Sequence, residues 1–239
     1  VVSSDELNQL RTSYEVLLDR QKEIWTAGRG PDDPPGGAWD SAPQPRVQLF
    51  SWDDQAGVQM VDESTINVVE FWLSEDIKGA AEQLLSMPVA ASSEISLMCN
   101  PTFDYGPAPW HRDVHPIDMG PMASMQEALV EHGPTYVQWN VPLYDDDVLW
   151  VVPGSHARLN TDVEDRHLRK DPRVPLPGGV PVELAAGDAI VYINYILHWG
   201  SDYSTRAFRR TMTSGHTIFP SWSWQDLVFT QYMATESRA

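Results

Sequence analysis

The hydrophobic positions of this chain fall into two textures, and the change comes near Met87-Pro88. Before it, apolar residues recur at helical spacing. Leu7, Leu10, Tyr14, Leu17, Leu18 and Ile24 line one face of Ser4–Trp25, and Ser3 with Glu6 has the pattern of a capping box. A second helix is predicted over Ser74–Leu85, with Ile77, Ala81, Leu84 and Leu85 on its buried face. Residues 30–46, between them, are too rich in proline and glycine for a regular element and read as a long loop.

After the change, short runs with strand character alternate with turn residues. Glu94–Cys99, Tyr136–Leu143, Val148–Val152, Val182–Leu184, Ala189–Ile196 and Arg209–Ile218 are the predicted strands, divided by Gly-Pro, Pro-Gly and Gly-Asp pairs. Helices followed by many short strands predict an α+β, mainly β chain whose sheet part is a jelly roll. The expected organisation is one domain over 1–239, with a helical and loop part over about 1–87 and a jelly-roll core over about 88–220. Residues 157–181, first charged and then rich in proline and glycine, read as an excursion or lid between strands.

Composition narrows the partners. Sixteen basic against thirty-four acidic residues give a net charge of −18, so nucleic acid and anionic membrane surfaces are not expected to bind. Such a charge serves solubility first; a field that draws a cationic substrate is the sharper reading. The single cysteine, Cys99, excludes an internal disulfide framework and cysteine-rich metal sites, and it suits a reducing, cytoplasmic setting. No apolar run approaches the roughly eighteen residues of a membrane span. No charged-then-apolar targeting segment opens the residues given, although a chain that starts on valine leaves room for a preceding one.

The sharpest chemical feature is Trp110-His111-Arg112-Asp113. On an extended strand His111 and Asp113 project to one side and Arg112 to the other. One imidazole and one carboxylate so placed fill two sites of a 2-His-1-carboxylate triad, the set that points to non-haem iron. His-x-Asp alone is also a common surface pair. His-Arg-Asp opens the catalytic loop of protein kinases too, but Asp118 stands where that loop needs asparagine, and no Asp-Phe-Gly follows. For the third ligand the candidates are His115, close by, and His198, at the end of the run Gly187–His198, where Tyr192, Asn194 and Ile196 share its face. At this point a satisfied core histidine explains His198 better than a ligand does. In Ala207–Thr213 the alternation sets Arg209, Thr211 and Thr213 opposite Phe208 and Met212. If the arginine faces inward it needs an anion, and a carboxylate suits its planar fork. Arg210, on the other face, reads as solvated or surface-paired.

These motifs, in this order, resemble the phytanoyl-CoA dioxygenase (PhyH-like) family of Fe(II)/2-oxoglutarate oxygenases. The likeness rests on His-x-Asp, on Leu149 followed by Pro153-Gly154-Ser155-His156, on Gly187-Asp188 leading to His198-Trp199-Gly200-Ser201, and on Arg209 eleven residues past His198. It covers roughly residues 75–219 and departs at residues 1–73 and at Tyr203, where the family often has asparagine. The resemblance implies a double-stranded β-helix (cupin-like jelly roll) with flanking N-terminal helices, and His111, Asp113 and His198 as iron ligands. It implies Arg209 on the distal carboxylate of 2-oxoglutarate with Thr211 as helper and Gln138 as a further contact, and dioxygen as the second cosubstrate. His156 is expected to be structural. With the carboxylate of Asp113 retained, hydroxylation or a related oxidation is implied rather than halogenation.

The expected substrate is a small organic molecule such as a secondary metabolite, since coenzyme A is polyanionic and this chain is acidic. Loops 30–46, 101–109 and 157–181 are expected at the barrel mouth, with Trp39, Phe103, Tyr105, Trp110, Tyr192 and Asn194 as candidate pocket residues. Asp145-Asp146-Asp147 reads as a solvated turn, with contact to an amine as the other reading. A cupin-like metalloenzyme without 2-oxoglutarate and a non-catalytic binding protein are the rival readings.

Overall fold

The computed structural model describes residues 2–49, 60–113, 127, 131, 133–193, 195–206 and 208–218. Helix α1 (Ser4–Ala27) starts where predicted: the Ser3 hydroxyl accepts from the Glu6 N–H, and Leu7, Leu10, Tyr14, Leu17 and Leu18 form the buried stripe. Ile24, expected on that stripe, is exposed, and in the last turn Trp25 packs against the core instead. The proline- and glycine-rich stretch is less irregular than expected. It holds a single helical turn, α2 (Ala38–Ser41), and a short strand, β1 (Arg46–Gln48). Gly37 enables that turn: its φ is +60°, and a Cβ there would overlap the carbonyl of Trp25. Trp39 is consequently buried against Trp25, at 5.7 Å between ring centroids, and belongs to the core rather than to a barrel mouth.

Helix α3 (Asn67–Leu73) has no counterpart among the predicted elements, yet it buries Trp72 completely. Helix α4 (Glu75–Leu85) follows at once, capped by the Ser74 hydroxyl. Ala81 and Leu85 are buried, whereas Leu84, expected beside them, is half exposed.

Strands β2 (Val89–Cys99), β3 (Tyr136–Pro142), β6 (Ile190–Tyr192) and β8 (Arg210–Ile218) join β1 in a five-stranded antiparallel sheet of order β1-β2-β8-β3-β6. Strands β4 (Leu149–Val151), β5 (Val180–Pro181) and β7 (His198–Gly200) form a three-stranded sheet of order β5-β4-β7. The strand expected over Val182–Leu184 is thus shifted toward the N-terminus, and Leu184 keeps only an isolated bridge to Asp146. Residues 157–181 contain helix α5 (Asp162–Lys170), which a complete Thr161–Glu164 capping box holds in place.

The register sorts the larger sheet into two faces. Leu97, Met212 and Val141 are aligned across β2, β8 and β3, and they join the α1, α3 and α4 side chains in the main core. Met98, Thr211, Thr213, Asn140, Gln138 and Tyr192 take the alternate positions and face the other way. Strand β8 is almost wholly buried because it has helices on one side and the second sheet's side on the other. Helix α1 is stapled to the sheet by polar contacts: Arg11 donates twice to the Leu143 carbonyl, at 2.9 and 2.6 Å, and Arg210 pairs with Glu15 at 2.7 Å. Arg210 is therefore buried, not solvated as expected. Among the described residues no helix is long and apolar enough to cross a membrane.

Leu97→Ala is expected to cost about 2–5 kcal/mol of stability, and Leu84→Ala less than about 0.5 kcal/mol. Urea unfolding of the two variants measures the difference, and similar costs would contradict the placement of Leu84.

Candidate metal centre

His111 and His198 come from two chain segments that meet through one reciprocal backbone pair. Each N–H donates to the other's carbonyl at 2.9 Å, an isolated antiparallel bridge that adds residue 111 to the free edge of β7. Residues paired in this way send their side chains to the same face. The two imidazoles accordingly lie 4.3 Å apart between centroids, on the side that faces the larger sheet. Asp113, two residues on, returns to that face. Its Oδ1 is 3.4 Å from His111 Nε2 and its Oδ2 is 3.3 Å from His198 Nε2. One donor atom from each of the three residues falls within 4.8 Å of the others, a spacing able to hold one metal ion.

Backbone carbonyls orient the ligating atoms. His111 Nδ1 lies 2.9 Å from the Pro109 carbonyl, and His198 Nδ1 lies 2.9 Å from that of Ile196. A carbonyl only accepts, so each Nδ1 carries a proton; each Nε2, which faces Asp113 as a donor in the metal-free centre, would present a lone pair to a metal once deprotonated. Burial opposes ionisation of Asp113, but hydrogen bonds from and the charges of the two histidines outweigh it and hold the carboxyl well below its usual range. Burial likewise opposes the His111 cation, and Asp113 overcomes it, so His111 titrates above an ordinary histidine.

The opposite face of the same strands is packing. Trp110 stacks on Trp199 at 5.3 Å, joins Val152, Leu176 and Leu197, and donates its indole N–H to the Val174 carbonyl. It is a core residue, and its expected place in the substrate pocket is corrected: the alternation that turns Arg112 away from His111 turns Trp110 away too. Arg112 is buried without a carboxylate. Its guanidinium donates to the carbonyls of Ser155 and Tyr195 and to Asn160 Oδ1, and burial pushes it down to about 10. Ser155 accepts in turn from the Leu197 N–H at 2.8 Å. The Pro153–His156 turn is thereby joined to both ligand-bearing segments, and Ser155 is its central member, with His156 at its side.

His198 reaches the centre by a different route from the expected one. The run Ala189–His198 is not one strand: β6 ends at Tyr192, Ile196 donates back to the Ile193 carbonyl, and β7 belongs to the other sheet. Tyr192 still faces His198, at 5.7 Å between rings, and its phenol accepts from Gln138 Nε2 at 2.8 Å. Asn194 and His115 lie outside the described residues. Phe103 is exposed and Tyr105 largely so, and neither touches the triad.

Arg209 is buried as expected, but an anion already sits beside it. Asp146 Oδ2 accepts from Arg209 Nε at 2.8 Å and from the Thr211 hydroxyl, and its Oδ1 accepts from the Val148 N–H at 2.9 Å. The expectation of a solvated turn at Asp145–Asp147 is corrected at its middle residue. Arg209 Nη1 is buried with no hydrogen-bond partner among the described residues. Tyr203 completes this side: its ring lies 6.0 Å from the guanidinium and against Gly200, where a Cβ would overlap the phenol oxygen. Asp146 and Tyr203 are the functional candidates the sequence did not single out; the need of a buried arginine for an anion was the one signal pointing to the first.

A family model described as phytanoyl-CoA dioxygenase (PhyH) matches residues 1–211. No curated protein matches the chain in sequence. Among solved structures, AviO1 from Streptomyces viridochromogenes Tue57 is similar, with a TM-score of 0.56 and 22% identity over 92% of this chain and 88% of that one. HygX from Streptomyces hygroscopicus, solved with nickel and 2-oxoglutarate, gives a TM-score of 0.60 and 15% identity over 94% and 82%. SnoK, a non-heme alpha-ketoglutarate-dependent carbocyclase from nogalamycin biosynthesis, gives 0.57 and 17% over 91% and 76%. At these identities the likeness is one of fold: the double-stranded β-helix read from the motifs.

Ser155→Ala removes the acceptor of the buried Leu197 N–H. The expected loss is about 1–3 kcal/mol of stability and about 10–100-fold in affinity for a divalent metal, read by thermal unfolding and by metal titration. Unchanged metal affinity would show that the turn does not support the centre.

Proposed function

The chain belongs to the phytanoyl-CoA dioxygenase family, and from that premise we propose an Fe(II)- and 2-oxoglutarate-dependent dioxygenase that oxidises a small organic molecule, with His111, Asp113 and His198 holding the iron and Arg209 anchoring the cosubstrate. The donor set fits the metal. Two neutral imidazoles and one carboxylate, all on one side, suit iron(II) and leave the other side open. The buried, unpartnered Nη1 of Arg209 fits a carboxylate, since an arginine N–H left unmatched in the interior is costly. That unmatched N–H, on an arginine beside the Tyr203 ring and Asp146, is the observation that carries the reading.

When bound, iron and 2-oxoglutarate supply the activation of dioxygen and an oxidative decarboxylation that releases succinate and carbon dioxide. The chain's own residues prepare the place. The Pro109 and Ile196 carbonyls hold both histidines in the tautomer that presents Nε2. Asp113, held well below the usual carboxylate range, would contribute a negative ligand. Leu149, Val151 and Tyr192, with Val182, Ile190 and Ile196 around them, form an apolar layer beside His198 that excludes water. Gln138 orients the Tyr192 phenol within that layer and so shapes the pocket indirectly.

A secondary metabolite or comparable small molecule is the substrate class this reading favours. The membership of SnoK in nogalamycin biosynthesis supports it, and so does the acidity of the chain, which disfavours a coenzyme A ester.

Anaerobic titration with Fe(II) and 2-oxoglutarate is expected to give a visible charge-transfer band in the parent. Arg209→Ala is expected to weaken 2-oxoglutarate binding about 10–100-fold at unchanged Fe(II) affinity, and His198→Ala to abolish stoichiometric iron binding. A band that ignores the loss of Arg209 would remove the anchor from the proposal.

A further inference from the structure

Asp146 is placed with more care than a charged turn requires. It sits between β3 and β4, where the chain crosses from one sheet to the other. Its backbone is fixed in both directions by Leu184, at 3.0 Å each way. The side chain turns inward and is 5% exposed. Its two oxygens together take three donors, from Val148, Arg209 and Thr211. Asparagine could not replace it, because its amide nitrogen would be set against either the Val148 N–H or the Arg209 Nε–H. The site is built for a carboxylate.

The arrangement also divides the guanidinium. Asp146 takes Nε, while Nη1, buried, is left without a partner among the described residues. We propose that Asp146 is a positioning residue for cosubstrate binding: it occupies one edge of Arg209 and so holds the remaining N–H groups ready for the distal carboxylate of 2-oxoglutarate. The proposal rests on the reading of Arg209 given above. Two costs fall as a result. A lone buried arginine would be unstable before the cosubstrate arrives, and Asp146 neutralises it. A free arginine side chain would lose rotamer entropy on binding, and this one is already ordered. Thr211, expected to help the cosubstrate, acts instead through Asp146, since its hydroxyl proton goes to Oδ2. Burial alone would favour the protonated acid, but the charge and hydrogen bond of Arg209 hold the carboxyl below its ordinary range.

The test compares two acids on the Fe(II)-loaded protein without oxygen: 2-oxoglutarate, and pyruvate, a 2-oxo acid with no distal carboxylate. Asp146→Asn is expected to weaken 2-oxoglutarate about tenfold or more and to leave pyruvate affinity within about twofold. Asp146→Asn combined with Arg209→Met is expected to bind 2-oxoglutarate no more weakly than Arg209→Met alone, because the two residues act as one unit. Equal losses for both acids would mean that Asp146 only supports the fold and would overturn the proposal. Unchanged or tighter 2-oxoglutarate binding would overturn it too, the latter marking Asp146 as a competitor for Arg209. If Asp146→Asn does not fold, Thr211→Val decides. A loss of about threefold or more for 2-oxoglutarate alone supports the proposal, and no loss overturns it. Should Arg209→Met itself leave 2-oxoglutarate binding intact, the anchor reading fails at its own step. A loss in Arg209→Met without one in Asp146→Asn removes only the role of Asp146.

Discussion

The two backbone hydrogen bonds between His111 and His198 are the joint on which the site depends. Neither segment has a long strand of its own there: β7 spans three residues, and residue 111 joins it by a single bridge. Pairing fixes the direction of both side chains at once, so the imidazoles converge without any contact between the side chains having to enforce it. Everything else on this sheet secures the joint. Trp110 and Trp199 stack behind it, and Arg112 gathers the carbonyls of Ser155 and Tyr195 on the same rear side. A face that is all packing thus supports a face that is all chemistry.

The two buried arginines show different solutions to one physical problem. Among the described residues Arg112 donates to neutral acceptors, with the carboxylates of Glu164 and Asp165 acting on it from farther off, and its N–H groups are used in holding loops together. Arg209 is given a full counter-charge but keeps an N–H unspent. An arginine that finishes its hydrogen bonds within the chain is architecture. One that stops short, under the reading proposed for Arg209, is prepared for a ligand.

Much of this was legible in the sequence, and the failures have physical causes. Period-two alternation places His111 with Asp113, and the ordered motifs select His198 and Arg209 even though the strand assumed to carry His198 is broken where the Ile196 N–H returns to the Ile193 carbonyl. The same alternation, applied one residue earlier, would have sent Trp110 to the core. Helix α3 escaped notice because its seven residues hold only one i, i+3, i+4 set, Val68, Phe71 and Trp72, mixed with the further apolar residues Val69 and Leu73. Helix α5 escaped because its sequence is charged throughout and relies on the Thr161–Glu164 cap rather than on an apolar stripe. Asp146 could not be told from Asp145 and Asp147 by composition. Burial depends on which way the crossing between sheets turns, and only the assembled fold decides that.

Tyrosine rings lie over glycines at two places on the interior faces, Tyr203 over Gly200 and Tyr136 over Gly215. At each, the larger residue fills the volume the smaller one gives up, so the two positions are a single steric unit. This orders the routes by which the cavity could change over evolutionary time. A side chain at 200 or 215 requires the overlying tyrosine to move or shrink, whereas the tyrosine can shrink first at the expense of a void. Divergence in the shape of this cavity should therefore begin at Tyr203 or Tyr136 and only afterwards reach the glycines beneath them.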